Sequence, residues 1–437
     1  LSATRPIRLS LKSPALVALL LCSASLVFYW TSLAHANPSD ANNISLMKAS
    51  ALTDLYPRWY GARELLLHHR DPYSADVTEE IQLAYDGREQ RFNYPLYVIL
   101  FLAPTVRMPF HSAQIVFWWL LVLVTGLSVA LWLYVIPLQL TLLARVTLFA
   151  MVLCSVPVLQ GLRLLQFGLL VAGLLAAAVA AILAGHLFLA GMLLALATIK
   201  PPLSLLAISW FVVWVAGDWN RRRTLLWGFA LTIAILVLAS ELLVPGWVLR
   251  YPAVLALYAK HADATPLSGV FLPHSLQWLL TLCGLLAVAR FCWSMRRQPV
   301  SSSHFILAYS FVATLTLLII PTALSPYNQV LLLPAVLLIL HHWTDLWSRG
   351  FLHRIVVSLL AGVGILPWLL ASLVTVGVLA PARAWFLKLD LIPLYSSLEL
   401  PFAILGLLLL LARSLRLPAH NSHTKYPARA YISGSIG

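Results

Sequence analysis

Residues 221–244 read RRRTLLWGFALTIAILVLASELLV. Three arginines precede a run in which Glu241 is the one charged residue. About 20 mainly apolar residues are what an α-helix needs to cross a bilayer, and arginines at one end mark the flank that stays in the cytoplasm. Similar runs recur outward from this one, near 94–107, 112–136, 144–160, 166–184, 187–199 and 201–217 before it. After it they lie near 276–294, 303–321, 330–343, 354–379 and 398–415. An earlier run covers residues 14–33. Of the 437 residues, 61% are apolar and 10% charged, against roughly 45–50% and about 25% in soluble domains. The expectation is an all-α polytopic membrane protein with about 11–13 transmembrane helices. Runs 94–107, 187–199 and 330–343 are short for a full span and are expected to be tilted, broken or re-entrant.

The formal charge of +14 invites a nucleic-acid reading. The basic residues, however, sit in short gaps between apolar runs, where topology determinants belong, with no zinc-finger spacing or basic helix. Arg221–Arg223, Arg296–Arg297, Arg349/Arg354 and Arg413/Arg416 alternate with the gaps 245–275, 322–329 and 380–397. Those gaps are expected outside, with the C-terminus inside and residues 418–437 a disordered cytoplasmic tail. Counted from the N-terminus the parity at Arg221 is wrong, so one run between 94 and 217 does not cross fully. Cys22, Cys154, Cys283 and Cys292 all lie in apolar runs without CxxC spacing and read as packed small hydrophobes.

Residues 1–36 are expected to hold a cytoplasmic N-terminus and the first transmembrane helix. Ala34-His35-Ala36 looks like a signal-peptidase site, but the preceding run exceeds the 7–15 residues of a signal core, which favours an uncleaved helix. Either way, residues 37–93 lie outside. That segment carries nine of the fifteen acids: Asp40, Asp54, Glu64, Asp71, Asp76, Glu79, Glu80, Asp86 and Glu89. Leu55, Trp59, Ala62 and Leu66 recur at helical spacing, predicting an amphipathic surface helix over 50–68, with a second helix over 75–85. Residues 94–417 form the polytopic domain.

Polar chemistry concentrates where helices meet this outer loop. Asp54 opens Asp54-Leu55-Tyr56-Pro57-Arg58-Trp59-Tyr60 and reads either as a helix cap or as a general base among the sugar-compatible rings of Tyr56 and Trp59. Tyr94, in Phe92-Asn93-Tyr94-Pro95, belongs either to the site or to the interfacial aromatic belt. Gln166 sits at the edge of an apolar run near Gln160, and Arg163 lies between them, a costly place for a charge and so a functional candidate. Lys200-Pro201-Pro202 interrupts the apolar stretch 187–217, so Lys200 either snorkels or contacts phosphate. His274, in Pro273-His274-Ser275, and Ser325 and Asn328, in Ser325-Pro326-Tyr327-Asn328-Gln329, either line a cavity or make turns. There is no Walker loop, GxGxxG, HExxH or GxSxG, and no metal-ligand spacing; the adjacent pairs His68-His69 and His341-His342 are discounted as ligands.

Taken in order, these motifs resemble those of the GT-C superfamily of polyprenol-phosphate-sugar-dependent glycosyltransferases, and most closely glycosyltransferase family 87, a mannosyltransferase-like group. Asp54-Leu55-Tyr56 matches the acidic-aromatic start of the first outer loop. His69-Arg70-Asp71-Pro72-Tyr73 matches a Gly-x-x-Pro-Tyr turn without its Gly, and Tyr94-Pro95-Leu96 a Tyr-Pro-Pro motif one Pro short. Leu165-Gln166 matches a Gly-Gln pair without the Gly. Ala190-Gly191 with Lys200-Pro201 and the late Ser325-Pro326-Tyr327-Asn328 complete the series over roughly residues 15–345. The resemblance implies a GT-C-type bundle and a hexosyltransferase of the outer face of the cell membrane, serving envelope biogenesis. A sugar, usually mannose, would pass from a polyprenyl-phosphate donor to a lipid or glycan acceptor with inversion. Asp54 would be the base, and Lys200, with Arg58 or Arg163, would stabilise charge on the leaving phosphate. No cofactor is implied and a divalent-metal requirement stays open. A transporter or flippase would favour inverted repeats and mid-membrane ionisable groups; a non-catalytic envelope scaffold would only present the outer loop.

Overall fold

The computed structural model describes residues 12–34, 52–87, 89–261, 274–320, 325–375 and 397–416. The expected tail, residues 37–51 of the outer segment, 262–273 of the gap before His274, 322–324 of the gap 322–329 and 380–396 of the gap 380–397 lie outside the described residues. Among those described there are helices and no strands. The chain runs through α1 (Lys12–Ala34), α2 (Tyr56–His68) and α3 (Ala75–Ala84), then a broken segment over residues 96–105, then α4 (Phe110–Val135). There follow α5 (Leu142–Leu153), α6 (Val156–Leu164), α7 (Phe167–Leu183), α8 (Leu187–Ala197), α9 (Pro201–Ala216), α10 (Trp219–Leu243) and α11 (Trp247–His261). After α12 (His274–Met295) and α13 (Ser303–Ile319), a 3-10 turn over Pro326–Leu332 leads into α14 (Leu333–His341), α15 (Trp343–Trp347), α16 (Phe351–Thr375) and α17 (Leu400–Arg416).

α4, α10 and most of α16 are long and apolar enough to cross a membrane, and α5 with α6 reach that length and apolarity together, with a 51° bend at the break between them. The other apolar helices have 10–17 residues. The chain is thus a multi-pass helical membrane protein. α13 is its central post. Every residue from Phe305 to Leu317 is buried, as expected for a helix that is apolar on all sides. Phe305 packs on Trp210 at 5.4 Å and Tyr309 on Trp132 at 5.3 Å, ring centre to ring centre.

The helices define two ends. At one, the Arg222 guanidinium donates to the Trp214 carbonyl at 2.7 Å and the Arg296 carbonyl at 2.8 Å, the Trp214 indole donates to the Gln298 carbonyl at 2.9 Å, and His342 meets Ser303 at 2.8 Å. This end gathers the Arg221–Arg223 and Arg296–Arg297 clusters. At the other end, the start of α7, the break before α9, the 3-10 turn at 326 and the α2–α3 region come together.

The parity conflict resolves at run 94–107. Its beginning, Tyr94, lies against Arg58 of α2, and its end, Thr105, accepts a hydrogen bond from the Trp59 indole, also on α2, at 3.1 Å. The segment returns to the end it left, broken into 3-10, α and 3-10 turns. α9 is short for a related reason. Its 16 residues span about 24 Å, against about 38 Å for the 25 of its neighbour α10. The break at Lys200 is therefore recessed, on the order of 10 Å below the top of α10.

Both expected outer helices form, over narrower spans. α2 starts at Tyr56, where Pro57 suits the first turn, and it packs deeper than a helix lying on a surface. Leu55, Trp59 and Ala62 are buried as the spacing predicts, but so are Arg58 and Glu64. α3 is amphipathic, with Val77 and Ile81 inward. Arg70 joins the two helices, donating to Glu64 at 2.8 Å and to both carboxylate oxygens of Glu80 at 2.8 and 3.0 Å, while the Tyr60 phenol donates to Glu80 at 2.7 Å. Arg70 and Tyr60 hold the Glu80 carboxyl below the usual carboxylate range; burial and Glu80 push the Tyr60 phenol up. The four cysteines are free thiols, with Cys22 and Cys292 buried and Cys283 exposed.

The tightest helix crossing is α8 on α10. A Cβ on Gly191 would overlap the Leu225 carbonyl oxygen and come within 2.6 Å of the Phe229 nitrogen, and a Cβ on Gly228 would overlap the Phe188 carbonyl. These are backbone atoms that cannot rotate away; small residues let helices approach this closely in lipid. Gly191→Ala is expected to separate the helices and destabilise the protein by about 1–3 kcal/mol, read as a lower unfolding temperature in detergent, whereas Gly126→Ala, with open space around it, should not.

Candidate active site

Asp54 sits in the turn before α2. The cap position of that helix is Leu55, and no side chain makes a capping hydrogen bond there. The capping reading of Asp54 is therefore not what the structure shows. Its carboxylate instead accepts a hydrogen bond from the Gln166 side-chain nitrogen, 112 residues away. The other end of the same carboxamide accepts from the Lys200 ammonium at 3.0 Å, and Lys200 also donates to the Asn328 carboxamide oxygen at 3.2 Å. The Tyr327 ring lies 4.9 Å from the ammonium. Arg58, one turn into α2, donates to the Asp54 backbone carbonyl and lays its guanidinium over the Tyr94 ring at 4.7 Å. Asp54, Arg58, Tyr94, Gln166, Lys200 and Asn328 thus form one cluster. It sets two basic side chains against one carboxylate.

Gln166, Lys200 and Asn328 are each delivered by a break between helices. Gln166 precedes α7 in extended backbone, so its side chain is not spent on a cap. Lys200 precedes Pro201-Pro202 of α9, where proline ends one helix and starts the next. Asn328, fully buried, lies in the 3-10 turn whose cap position is Ser325. Gly168, the second residue of α7, makes room for it: a Cβ there would stand 2.6 Å from the Asn328 side-chain oxygen.

Other candidates fall elsewhere. Tyr56 packs on Tyr60 at 5.5 Å and Phe110 at 5.0 Å, and Trp59 is buried beneath Thr105, so both rings brace α2. Ser325 contributes a backbone carbonyl that accepts from the Asn328 amide at 2.9 Å. His274 is the first residue of α12; its side chain is outside the description. Arg163 is exposed at the end of α6 and lines an open cavity of about 420 Å³ with Leu26, Ile115, Trp118 and Leu162. Thr53 and Leu165 line it too, so this apolar groove abuts the chain neighbours of both Asp54 and Gln166. Tyr327, missed in the sequence, had only its place beside Asn328 to signal it.

The two glycines absent from the resembled motifs explain themselves here. His69 has φ 55° and Leu165 has φ 53°, the left-handed region that favours glycine. His69 ends α2, with the Arg70 amide donating to the Glu64 carbonyl at 3.1 Å. Leu165 ends α6 and turns the chain so that Gln166 faces Asp54. Both turns keep the glycine geometry with another residue in place.

An acid, a lysine and carboxamides thus meet at one end of a multi-pass helical bundle, beside an apolar groove. The family model described as Glycosyltransferase family 87 matches residues 92–321, more than half of the 437, and the chain belongs to that family. It is therefore a glycosyltransferase. The matched stretch contains Tyr94, Gln166 and Lys200, while Asp54 and Asn328 lie outside it and join through folding. No curated protein and no solved structure matches the chain. Among the described residues no group of His, Cys, Asp and Glu is disposed to hold a metal.

Two outcomes follow. His69 is exposed, so His69→Gly loses no packing and relieves a left-handed residue costing roughly 1–2 kcal/mol, partly offset by glycine's freer unfolded chain. A higher unfolding temperature is expected, while Leu165→Gly, at a buried position, should lower it because about 1.5–3 kcal/mol of apolar burial goes with the side chain. Gly168→Ala should push Asn328 off Lys200 and reduce sugar transfer, with the protein still folded by circular dichroism; unchanged transfer would mean that Asn328 does not position Lys200.

Proposed function

We propose that the chain transfers a sugar, mannose being the first choice, from a polyprenyl-phosphate donor to a hydroxyl of a lipid or glycan acceptor, with inversion, at the outer face of the cell membrane. The observation that carries this reading is the Gln166 carboxamide, which holds the Asp54 carboxylate at one end and the Lys200 ammonium at the other. A base and a phosphate-binding cation are thereby kept at a set separation, as a one-step displacement requires.

Asp54 takes the proton of the acceptor hydroxyl. With Oδ2 engaged by Gln166, Oδ1 is the oxygen that receives it. The hydroxyl oxygen forms its bond to the anomeric carbon as the bond from that carbon to the phosphate oxygen breaks. The electron pair leaves on the lipid phosphate, where Lys200, with Arg58 nearby, offsets the growing charge. The leaving phosphate is a good anion, so one carboxylate suffices. The groove between α1, α4 and α6 suits a prenyl chain, and Arg163 at its rim adds a cation for the phosphate. The arginine-rich end, read as cytoplasmic, puts the site on the opposite side, with 37–93, 245–275 and 322–329 outside.

Asp54 caps no helix, so Asp54→Asn should leave the fold intact while lowering turnover by roughly a hundredfold or more, the scale of general-base loss. Turnover is measured with purified protein, a radiolabelled polyprenyl-phosphate sugar and a panel of acceptors. Wild-type turnover in the variant would remove the base from Asp54. Lys200→Met removes one charge-assisted contact worth roughly 1.5–3 kcal/mol, so KM for the donor should rise at least about tenfold; normal donor use would dissociate Lys200 from the phosphate.

A further inference from the structure

α11 packs against residues that neighbour the cluster, meeting Tyr97, Tyr73 and Asp71. Its approach is stitched: the Gly246 amide donates to Glu241 at 2.5 Å, and Arg250 donates to Asp71 at 2.6 Å and to the Pro245 carbonyl at 3.3 Å. Gly246, at φ 76°, supplies the left-handed turn. Val248 and Leu249 are exposed, at 42% and 86%, whereas Trp247 is 3% exposed. The helix therefore turns Trp247 inward rather than toward lipid, unlike an interfacial belt residue.

Four rings form a continuous wall there. Trp247 lies 6.0 Å from Tyr97 and 5.8 Å from Tyr251, and Tyr251 lies 6.4 Å from Tyr73, centre to centre. Two of the four have their polar ends satisfied. Tyr97 donates to the Thr198 carbonyl at 3.1 Å, two residues before Lys200, and Tyr73 donates to the carbonyl of Tyr94, the ring beneath Arg58, at 2.7 Å. These bonds tie the wall to the acid and the lysine. The other two are not satisfied: the Trp247 indole nitrogen and the Tyr251 hydroxyl are buried with no hydrogen-bond partner among the described residues. A buried donor without a partner is destabilising, and two in ring contact next to a reaction site call for a ligand.

We propose that Trp247 and Tyr251 bind the hydroxyl groups of a pyranose in the transfer site. A pyranose offers an apolar face to aromatic rings and a rim of hydroxyls. The indole N–H can only donate, and the phenol can donate and accept; the pair therefore suits a hydroxyl oxygen and an adjacent hydroxyl. The assignment rests on the glycosyl-transfer reading above. The pyranose belongs either to the donor or to the acceptor, and the two sources separate by which KM responds.

The test uses the full chain in detergent, with Trp247→Phe, Tyr251→Phe and the double variant. Each keeps a ring and removes one polar atom. Losing a neutral hydrogen bond made equally in ground and transition states should raise one KM about three- to tenfold, with the smaller effect on kcat. Unfolding temperature should stay level or rise, because an unsatisfied donor is removed; a purely structural role would lower it. A raised donor KM assigns the ring pair to the donor sugar, and a raised acceptor KM to the acceptor. Unchanged KM values for both, or a fall in unfolding temperature, would overturn the proposal. If the wild-type chain transfers no sugar at all, the transfer reading fails by itself. Saturation-transfer NMR of methyl α-D-mannopyranoside then reads the ring pair alone: signal lost in the double variant supports the proposal, and signal retained overturns it.

Discussion

One carboxamide organises the site. Gln166 donates to Asp54 and accepts from Lys200, so an acid from the turn before α2 and a cation from a helix break are tied through a third element. Either charge alone, half sunk in an apolar bundle, would be costly to keep. Held through an amide with Asn328 and Tyr327 on the far side, they form one connected network. The low surrounding dielectric strengthens such a network once it is complete.

The fold supplies this network by ending helices rather than by continuing them. In hydrocarbon every backbone polar group must be paired, so irregular chain is tolerated only where protein surrounds it. The breaks at 165–166, 198–200 and 325–328 fall together within the bundle, against α2 and the segment 96–105. α13, buried along its length, is the post around which these interrupted helices pack. The close crossing of α8 on α10, made by Gly191 and Gly228, brings the Lys200 break under the longer α10 and produces the recess.

The two faces of the cluster differ in chemistry. Toward α1, α4 and α6 lies an apolar groove with Arg163 at its rim; toward α11 lies a wall of Trp247, Tyr251, Tyr97 and Tyr73. The lipid-linked sugar proposed above as donor would set its hydrocarbon chain toward the groove and its polyol toward the ring wall.

Much of this was legible in the sequence. Hydropathy alone dictates a helical multi-pass protein, because runs of that length and composition have no other stable arrangement in lipid. Asp54, Gln166, Lys200 and Asn328 stood out singly, as polar residues at the margins of apolar runs. Their mutual contacts were not legible: the pairs lie 34, 112 and 128 residues apart, and no local period reports such distances. The sequence likewise left Asp54 open between cap and base; only the packed structure shows the cap position passing to Leu55. Tyr56 and Trp59 illustrate the converse, since rings in a promising motif serve packing when Phe110 and Thr105 happen to be their neighbours. Trp247 and Tyr251 had no motif to announce them. Local propensity and hydropathy determine which segments are helices, but which helix ends meet is settled by side-chain packing between distant segments, and the chemistry resides at those meetings.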